Sequence, residues 1–282
     1  MTPPELVLTL SCPDRRGIVH AVAGAIVNAG GNITESRQYG DPDAGRFLMR
    51  VQTAEVSEPE RLRTSLTGLA ARFEMDWNLD VVGRPKRTLI LASKQGHCLS
   101  DILFRTHDGR MPLDVVGVVS NHEVLRPIAD FYRTPFHHVP VTPASKQAAE
   151  AELLRMVAEH DIELVVLARY MQVLSDEVCR VLRGRAINIH HSFLPSFKGA
   201  RPYAQAHTRG VKLIGATAHY VTADLDEGPI IEQDVVRVTH ADSAEELVAL
   251  GQDVERQVLA RAVRWHAEHR VLPDGSKTVV FA

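Results

Sequence analysis

The stretch Ile187-Asn188-Ile189-His190-His191-Ser192-Phe193-Leu194-Pro195 gathers an amide, two imidazoles and a hydroxyl at the end of an apolar run. Side chains alternate along a strand, so Asn188 and His190 share one face. Pro195 and the run Gly199-Ala200-Arg201-Pro202 then open a loop. A second polar cluster follows the next apolar run: His219, Asp224, Asp226, Glu227 and Gly228. These residue types suit acyl transfer from an amide-like carbonyl. Attack on such a carbon creates a tetrahedral oxyanion, which an asparagine amide or a protonated histidine can stabilise. A carboxylate such as Asp226 can orient the attacking water, collect protons or hold His190 in its charged form. Ser192 lacks the Gly-x-Ser-x-Gly surround of a nucleophile elbow, and the scheme needs no serine nucleophile.

Each residue alone also has an ordinary explanation. A histidine at a strand end is often only hydrogen-bonded, and Asp226 before Glu227-Gly228 suits a plain turn. A metallohydrolase built on His190, His191, His219 and Asp226 uses legitimate ligand types. Adjacent histidines on a strand point to opposite faces, however, which counts against it. The residues by themselves reach an α/β hydrolase or transferase and no further.

Positioning these groups requires a sheet. Thr88–Ser93, Leu113–Ser120, Glu163–Ala168 and Ala186–His190 read as strands, with helices near Leu99–His107, Glu123–Tyr132 and Lys146–His160. This alternation predicts a Rossmann-like, mostly parallel α/β sheet, whose carboxyl strand ends border a ligand crevice. Leu213–Thr222 and Ile230–Val238 read as longer strands and Ser243–Arg270 as one amphipathic helix. Upstream, strands Glu5–Cys12, Asn32–Tyr39, Arg46–Thr53 and Trp77–Val82 alternate with helices Ile18–Asn28 and Glu58–Phe73. That order is the ferredoxin-like βαββαβ. Asp14 is placed to cap the first helix and Gly30-Gly31 to stop it. The expected division is a domain over residues 1–83, a linker over 84–87 and a second domain over 88–282.

The chain has 282 residues, 45% of them hydrophobic and 24% charged, which suffices for two cores without covalent staples. Cys12, Cys98 and Cys179 are far apart and lack C-x-x-C spacing, which argues against a disulfide framework or a cysteine zinc site and for a reducing cytoplasm. A formal net charge of -3 offers no nucleic-acid footprint and no membrane patch. No basic start precedes an apolar run, and no apolar stretch approaches the roughly 20 residues that span a bilayer. Neither nucleic acid nor membrane is therefore expected as a partner.

The stretch Asn188-Ile-His-His-Ser-Phe-Leu-Pro-Ser-Phe-Lys-Gly-Ala200 resembles the first signature of the folate-dependent formyltransferase fold, and His219-Tyr-Val-Thr-Ala-Asp-Leu-Asp-Glu-Gly-Pro-Ile-Ile231 resembles its second. The resemblance implies a catalytic trio of Asn188, His190 and Asp226 acting on the formyl group of 10-formyltetrahydrofolate. Transferases of this family cradle a substrate phosphate on a Gly-rich loop after the first strand. Here that place reads Ser93-Lys94-Gln95-Gly96-His97-Cys98-Leu99-Ser100, with one glycine and bulky neighbours. The Lys-x-x-His-Cys-Leu pattern, the paired His190-His191 and the run Gly-Ala-Arg-Pro-Tyr at 199–203 look like the deformylase branch, in which water is the acceptor. Hydrolysis to formate and tetrahydrofolate is thus implied, with formate available for purine biosynthesis and with no metal or other cofactor. A formyltransferase with an unidentified acceptor is the alternative.

The same resemblance implies a folate crevice lined by Met171, Gln172, Val173 and Leu174 on one side and by Thr222, Ala223, Asp224, Leu225 and Glu227 on the other. It gives His219 the task of steadying Asp226, and His191 that of shaping the pocket against other acceptors. Relatives often carry Arg where Gln172 stands; an Arg pairs with carboxylates of the folate tail, which Gln cannot. Arg169 is the nearby candidate cation. The first domain resembles an ACT domain on Cys-Pro-Asp-Arg-Arg-Gly-Ile-Val at 12–19 and Asn-Ala-Gly-Gly-Asn-Ile at 28–33. That implies an amino-acid effector, glycine or methionine, near Asp14, Gly17, Asn28 and Asn32. It also implies pairing of subunits into a homodimer or homotetramer. A non-catalytic amino-acid sensor is the remaining reading, against which the intact Asn188, His190 and Asp226 speak.

Overall fold

The computed structural model describes residues 4–195 and 202–282, which divide into two compact units. Residues 196–201, part of the first signature and of the 199–203 run, lie outside the described residues. The first unit opens with β1 (Leu6–Pro13), α1 (Ile18–Asn28), β2 (Asn32–Asp41), β3 (Arg46–Ala54), α2 (Pro59–Phe73) and β4 (Asp76–Val81). The four strands pair antiparallel in the order β2-β3-β1-β4, as the βαββαβ reading requires. Ile18, Val22 and Ile26 recur at helical spacing on α1 and meet Leu62 and Leu66 of α2 over Leu8, Leu10, Met49 and Val51 of the sheet. Asp14 does not cap α1. The residue at that position is Gly17, in the left-handed region at φ 93°, with no side-chain cap.

The second unit contains β5 (Lys86–Ala92), α3 (His97–His107), β6 (Leu113–Ser120), α4 (Arg126–Phe131), β7 (Phe136–His138), α5 (Lys146–Glu159) and β8 (Leu164–Ala168). It continues through α6 (Asp176–Val181), β9 (Ala186–His190), α7 (Pro202–Arg209), β10 (Leu213–Tyr220), β11 (Ile230–Arg237) and α8 (Ala244–Ala267). Seven strands form one sheet in the order β11-β10-β9-β8-β5-β6-β7. The stretch from β9 through β7 is parallel, and β10 and β11 run antiparallel at one edge. Leu89–Ala92 and the whole of β8 are buried, the continuous apolar pattern of parallel strands covered on both faces. Leu153, Met156 and Val157 of α5, with Val178 of α6, pack against Leu89, Leu91, Val165 and Leu167. The expected helix over Glu123–Tyr132 is a single 3-10 turn at Glu123–Leu125 leading into α4. Pro127 has no N–H to give an α-helical ladder, so it stands in the first turn of α4 rather than mid-helix.

Two boundaries differ from the sequence reading. The units part between Arg84 and Pro85, and Lys86 and Arg87, expected as linker, are the first residues of β5. Residues 268–282, expected in the second domain, belong to the first unit. There β12 (Val271–Asp274) and β13 (Lys277–Val280) form a hairpin around Gly275-Ser276. Leu272 and Phe281 pack on Leu48, which faces away from the α1/α2 core, and the Arg50 guanidinium donates to the Glu268 carbonyl at 3.2 Å. Removing a buried Leu side chain costs about 2–5 kcal/mol in a packed core. Leu272→Ala should therefore lower the stability of the first unit by an amount near the bottom of that range in denaturant unfolding. A change within the scatter of surface substitutions would show that the hairpin is not part of its fold.

Candidate active site

The chain leaves β5 towards β6 and β7 and then returns to β8 on the other side of β5. Such a reversal separates the loops that follow the two strands and opens a crevice at their carboxyl ends. Ser93, directly after β5, ties the crevice together: its hydroxyl donates to Asn121 Oδ1 at 2.7 Å and accepts from the Met171 N–H at 3.0 Å. This fixes the wall formed by Arg169 to Leu174. Arg169 is buried and adopts φ 63°, a left-handed conformation that costs a non-glycine residue energy and recurs at functional sites.

The trio comes together at β9 and the loop between β10 and β11. His190 Nδ1 lies 3.2 Å from Asp226 Oδ2, and His219 Nε2 lies 3.7 Å from Asp226 Oδ1. Asn188 Nδ2 stands 3.3 Å from His219 Nε2. His219 Nδ1 is 2.9 Å from the Tyr220 carbonyl, an acceptor only, so the proton sits on Nδ1 and neutral Nε2 receives one Asn188 N–H. The second Asn188 N–H remains available. His190 Nε2 is buried and has no hydrogen-bond partner among the described residues. Burial works against the charge of Asp226, but the hydrogen bond from His190, with the imidazole of His219 close by, outweighs it and holds the carboxyl well below the usual carboxylate range.

Asp226 reaches His190 because its loop folds tightly onto β10. A Cβ on Gly228 would lie 1.7 Å from the Tyr220 carbonyl oxygen, so only glycine allows that approach. Asp226 itself takes φ 58°. The loop after β9 is pinned by buried Thr217, whose hydroxyl donates to the Ser192 carbonyl at 3.0 Å and accepts from the Leu194 N–H at 3.1 Å.

These groups border a cavity of about 750 Å3, within the range of small-molecule sites. Met171, Gln172, Val173, Leu174, Thr222, Ala223 and Leu225 line it as expected. Met171, Val173 and Leu225 are each more than half exposed, at 57%, 54% and 61%, which is unusual for large apolar side chains gathered on one cavity and suits a flat apolar ligand. Asp224 and Glu227 are not among the described residues of the wall; the Asp224 carbonyl instead accepts from the Thr222 hydroxyl at 2.9 Å and the Glu227 N–H at 3.3 Å within the loop. Gln95, Tyr203, Val248, Gln252 and Glu255 also line the cavity and were missed by the sequence reading. Glu255 falls on the buried face of α8 with Leu247, Gly251, Val258, Leu259 and Ala262, and a charged residue among these was the available signal.

His190 and His191 do not point to opposite sides. The strand ends at His190 and the chain bends at His191, so both rings line the cavity with centroids 5.1 Å apart. Among the described residues, the histidine, cysteine and acidic side chains whose donor atoms gather within 4.8 Å are instead His97, Cys98 and Glu255. There Glu255 is already held by His97 Nε2 at 2.8 Å, by the Tyr203 hydroxyl at 2.6 Å and by Arg169 Nε at 3.4 Å, and a guanidinium that close repels a cation.

The residues expected to hold an effector do not form one cluster within the chain. Asp14 and Gly17 precede α1, whereas Asn28 ends it and Asn32 opens β2; all four are exposed. The 11 residues of α1 separate the two pairs by roughly 16 Å.

The family model described as "Formyl transferase" matches residues 86–263. The chain is 53% identical over 278 residues to the formyltetrahydrofolate deformylase of Corynebacterium sp. (strain P-1), covering 98% of this chain and 97% of that one. It is similar to the crystal structure of the formyltetrahydrofolate deformylase from Burkholderia mallei, with a TM-score of 0.95 and 49% identity over 99% of this chain and 100% of that one. The glycinamide ribonucleotide transformylase 1 of Symbiobacterium toebii shares the fold at a TM-score of 0.67 and 32% identity, covering 73% of this chain and 98% of that one.

Burial first, then the neighbouring Arg169 and His190, push His191 down to about 4 from its ordinary 6.5. The native state therefore resists protonation where the unfolded chain accepts it. The stability contributed by neutral His191 is complete above 6.5 and is lost as the pH falls towards 4. Denaturant unfolding at about pH 7 and about pH 5 checks this. His191→Gln should lose less stability between the two conditions than the unaltered protein, and an equal loss would refute the assignment.

Proposed function

This chain belongs to the formyltetrahydrofolate deformylase family, and from that premise we infer how its cavity carries out the family reaction. The protein is a hydrolase that converts 10-formyltetrahydrofolate and water to tetrahydrofolate and formate. The observation that carries the mechanism is the His190–Asp226 pair, which leaves Nε2 at the cavity wall without a partner among the described residues.

Asp226 accepts from His190 Nδ1, which fixes the ring with Nε2 towards the cavity. His190 Nε2–H and the second N–H of Asn188 then donate to the formyl oxygen as it becomes an oxyanion. Water attacks from the Asp226 side, forming the new C–O bond. The depressed basicity of Asp226 suits it to pass on the water proton rather than keep it. That proton goes to N10 as the C–N bond breaks, and the formic acid released ionises to formate. Each step falls to a side chain, and the scheme calls on no metal and no organic cofactor. The folate ring system lies between Met171 and Val173 on one side and Thr222, Ala223 and Leu225 on the other. Arg169 is too deeply buried to meet a solvent-exposed folate tail, so tail carboxylates are left to side chains at the cavity mouth.

The formate released supports one-carbon balance and purine biosynthesis. We assign the first unit as an ACT-type regulatory domain that assembles as a homodimer or homotetramer. Since one α1 separates the two pairs of expected effector residues, an amino acid would bind one pair from each of two subunits. A titration with glycine and methionine that leaves activity unchanged removes this assignment. A cytoplasmic location is supported by three buried, unpaired cysteines and by the lack, among the described residues, of a helix long and apolar enough to cross a membrane.

The deciding experiment is incubation of chelator-treated protein with 10-formyltetrahydrofolate and no added acceptor. Formate and tetrahydrofolate should appear one for one, whereas dependence on an added amine would establish transfer and dependence on restored metal would overturn the scheme. Asn188→Ala, His190→Ala and Asp226→Ala should each lower kcat by at least ~10²-fold, the usual loss for an oxyanion donor or a proton-transfer group. Unaltered turnover in a folded variant would remove that residue from the scheme.

A further inference from the structure

Beside the trio lies a second buried polar cluster that the reaction does not use. Its centre is Glu255 of α8, 1% exposed and on the cavity wall. Its carboxylate meets His97 Nε2 at 2.8 Å, the Tyr203 hydroxyl at 2.6 Å and Arg169 Nε at 3.4 Å. Burial opposes its charge, but His97, Arg169 and Tyr203 together hold the carboxyl below its ordinary range. His97 and Cys98 are the first residues of α3, which follows β5 at the point where the strand order reverses. In parallel α/β sheets this helix start is where a ligand anion is received, by backbone N–H groups and basic side chains.

We propose that Glu255 is a built-in anion that occupies the acceptor side of the cavity, so that an amine bearing a phosphate ester cannot dock there and water takes the formyl group. The proposal deepens the hydrolase reading and rests on it. An arginine, an imidazole and a phenol beside a helix N-terminus are the donor set a phosphate monoester would require, and here the imidazole and the phenol bond the Glu255 carboxylate while the arginine lies beside it. Arg169 Nη1 is buried without a partner among the described residues, so the cluster still has capacity for a negative ligand. Tyr203 is held in place by a gap in α8: a Cβ on Gly251 would lie 2.1 Å from its ring. Glycine inside a helix is unfavourable relative to alanine, and here it admits the ring whose hydroxyl closes over Glu255. His191 joins this cluster to the trio. Its ring lies 5.1 Å from that of His190 and 6.3 Å from that of Tyr203, centroid to centroid.

The test is calorimetric titration with inorganic phosphate. Glu255→Ala should bind phosphate at least ~10-fold more tightly than the unaltered protein, because the competing carboxylate is gone and the cation remains. Adding Arg169→Met should return the affinity to the starting level. Should Glu255→Ala fail to fold by circular dichroism, Glu255→Gln keeps the volume and removes the charge. It should show a smaller gain, again cancelled by Arg169→Met. A folded variant of either kind with unchanged phosphate affinity overturns the proposal, as does an unaltered protein that already binds phosphate as tightly. Formate release by the unaltered protein without acceptor, measured in parallel, reports on the hydrolase reading alone.

Discussion

Two backbone segments meet at the Tyr220 carbonyl. Gly228 lies against it so closely that no side chain fits between, and His219 donates its Nδ1 proton to the same oxygen. The first contact carries Asp226 back to His190; the second fixes which nitrogen of His219 faces Asn188. If the carbonyl moved, the loop from Val221 to Pro229 would lose its anchor and the carboxylate its distance to the imidazole. Thr217 performs the matching task three residues earlier in β10, holding the chain on either side of Phe193. β10 therefore acts as a ruler for both halves of the site. The left-handed conformation of Asp226 is part of the cost of this arrangement, which the tight loop on either side maintains.

Two of the carboxylates on the cavity wall, Asp226 and Glu255, do opposite things. Asp226 keeps some access to the cavity and faces His190, whose other nitrogen has no partner among the described residues. Glu255 is closed off by two donors, His97 and Tyr203, and by the neighbouring Arg169 cation. The low polarity of the surroundings strengthens both arrangements. In one case the strengthened interaction is lent to a reacting group, and in the other it is spent within the protein. Neutral His191 between them transmits shape rather than charge.

The parallel sheet and the pairing of Asn188 with His190 follow from strand alternation and apolar runs, which are local properties of the chain. The role of Asp226 could not be read locally: its distance to His190 depends on a long-range fold of one loop over β10. His191 was misread because strand alternation was extended one residue past the end of the strand. Glu255 lay hidden in a helix whose amphipathic pattern looked complete, although a buried-side glutamate and Gly251 together mark an unusual contact. Asp14, Gly17, Asn28 and Asn32 look close in sequence, yet a rigid helix keeps them apart. The terminal hairpin was not read, although Gly275-Ser276 between Val271-Leu272 and Val279-Val280 is a turn signal and an apolar Leu48 on the second face of β3 required a cover.

That cover has a consequence for synthesis. Domains that emerge first from the ribosome usually fold first. Here the leading unit lacks part of its own second face until residues 268–282 have been made, after the entire α/β sheet. The nascent chain must carry an uncovered Leu48 surface and an incompletely partnered Arg50 through the translation of the whole catalytic unit. Of the two units, the one whose strands are made first is therefore completed after the other, and a tag fused after residue 282 is attached to that unit rather than to the catalytic one.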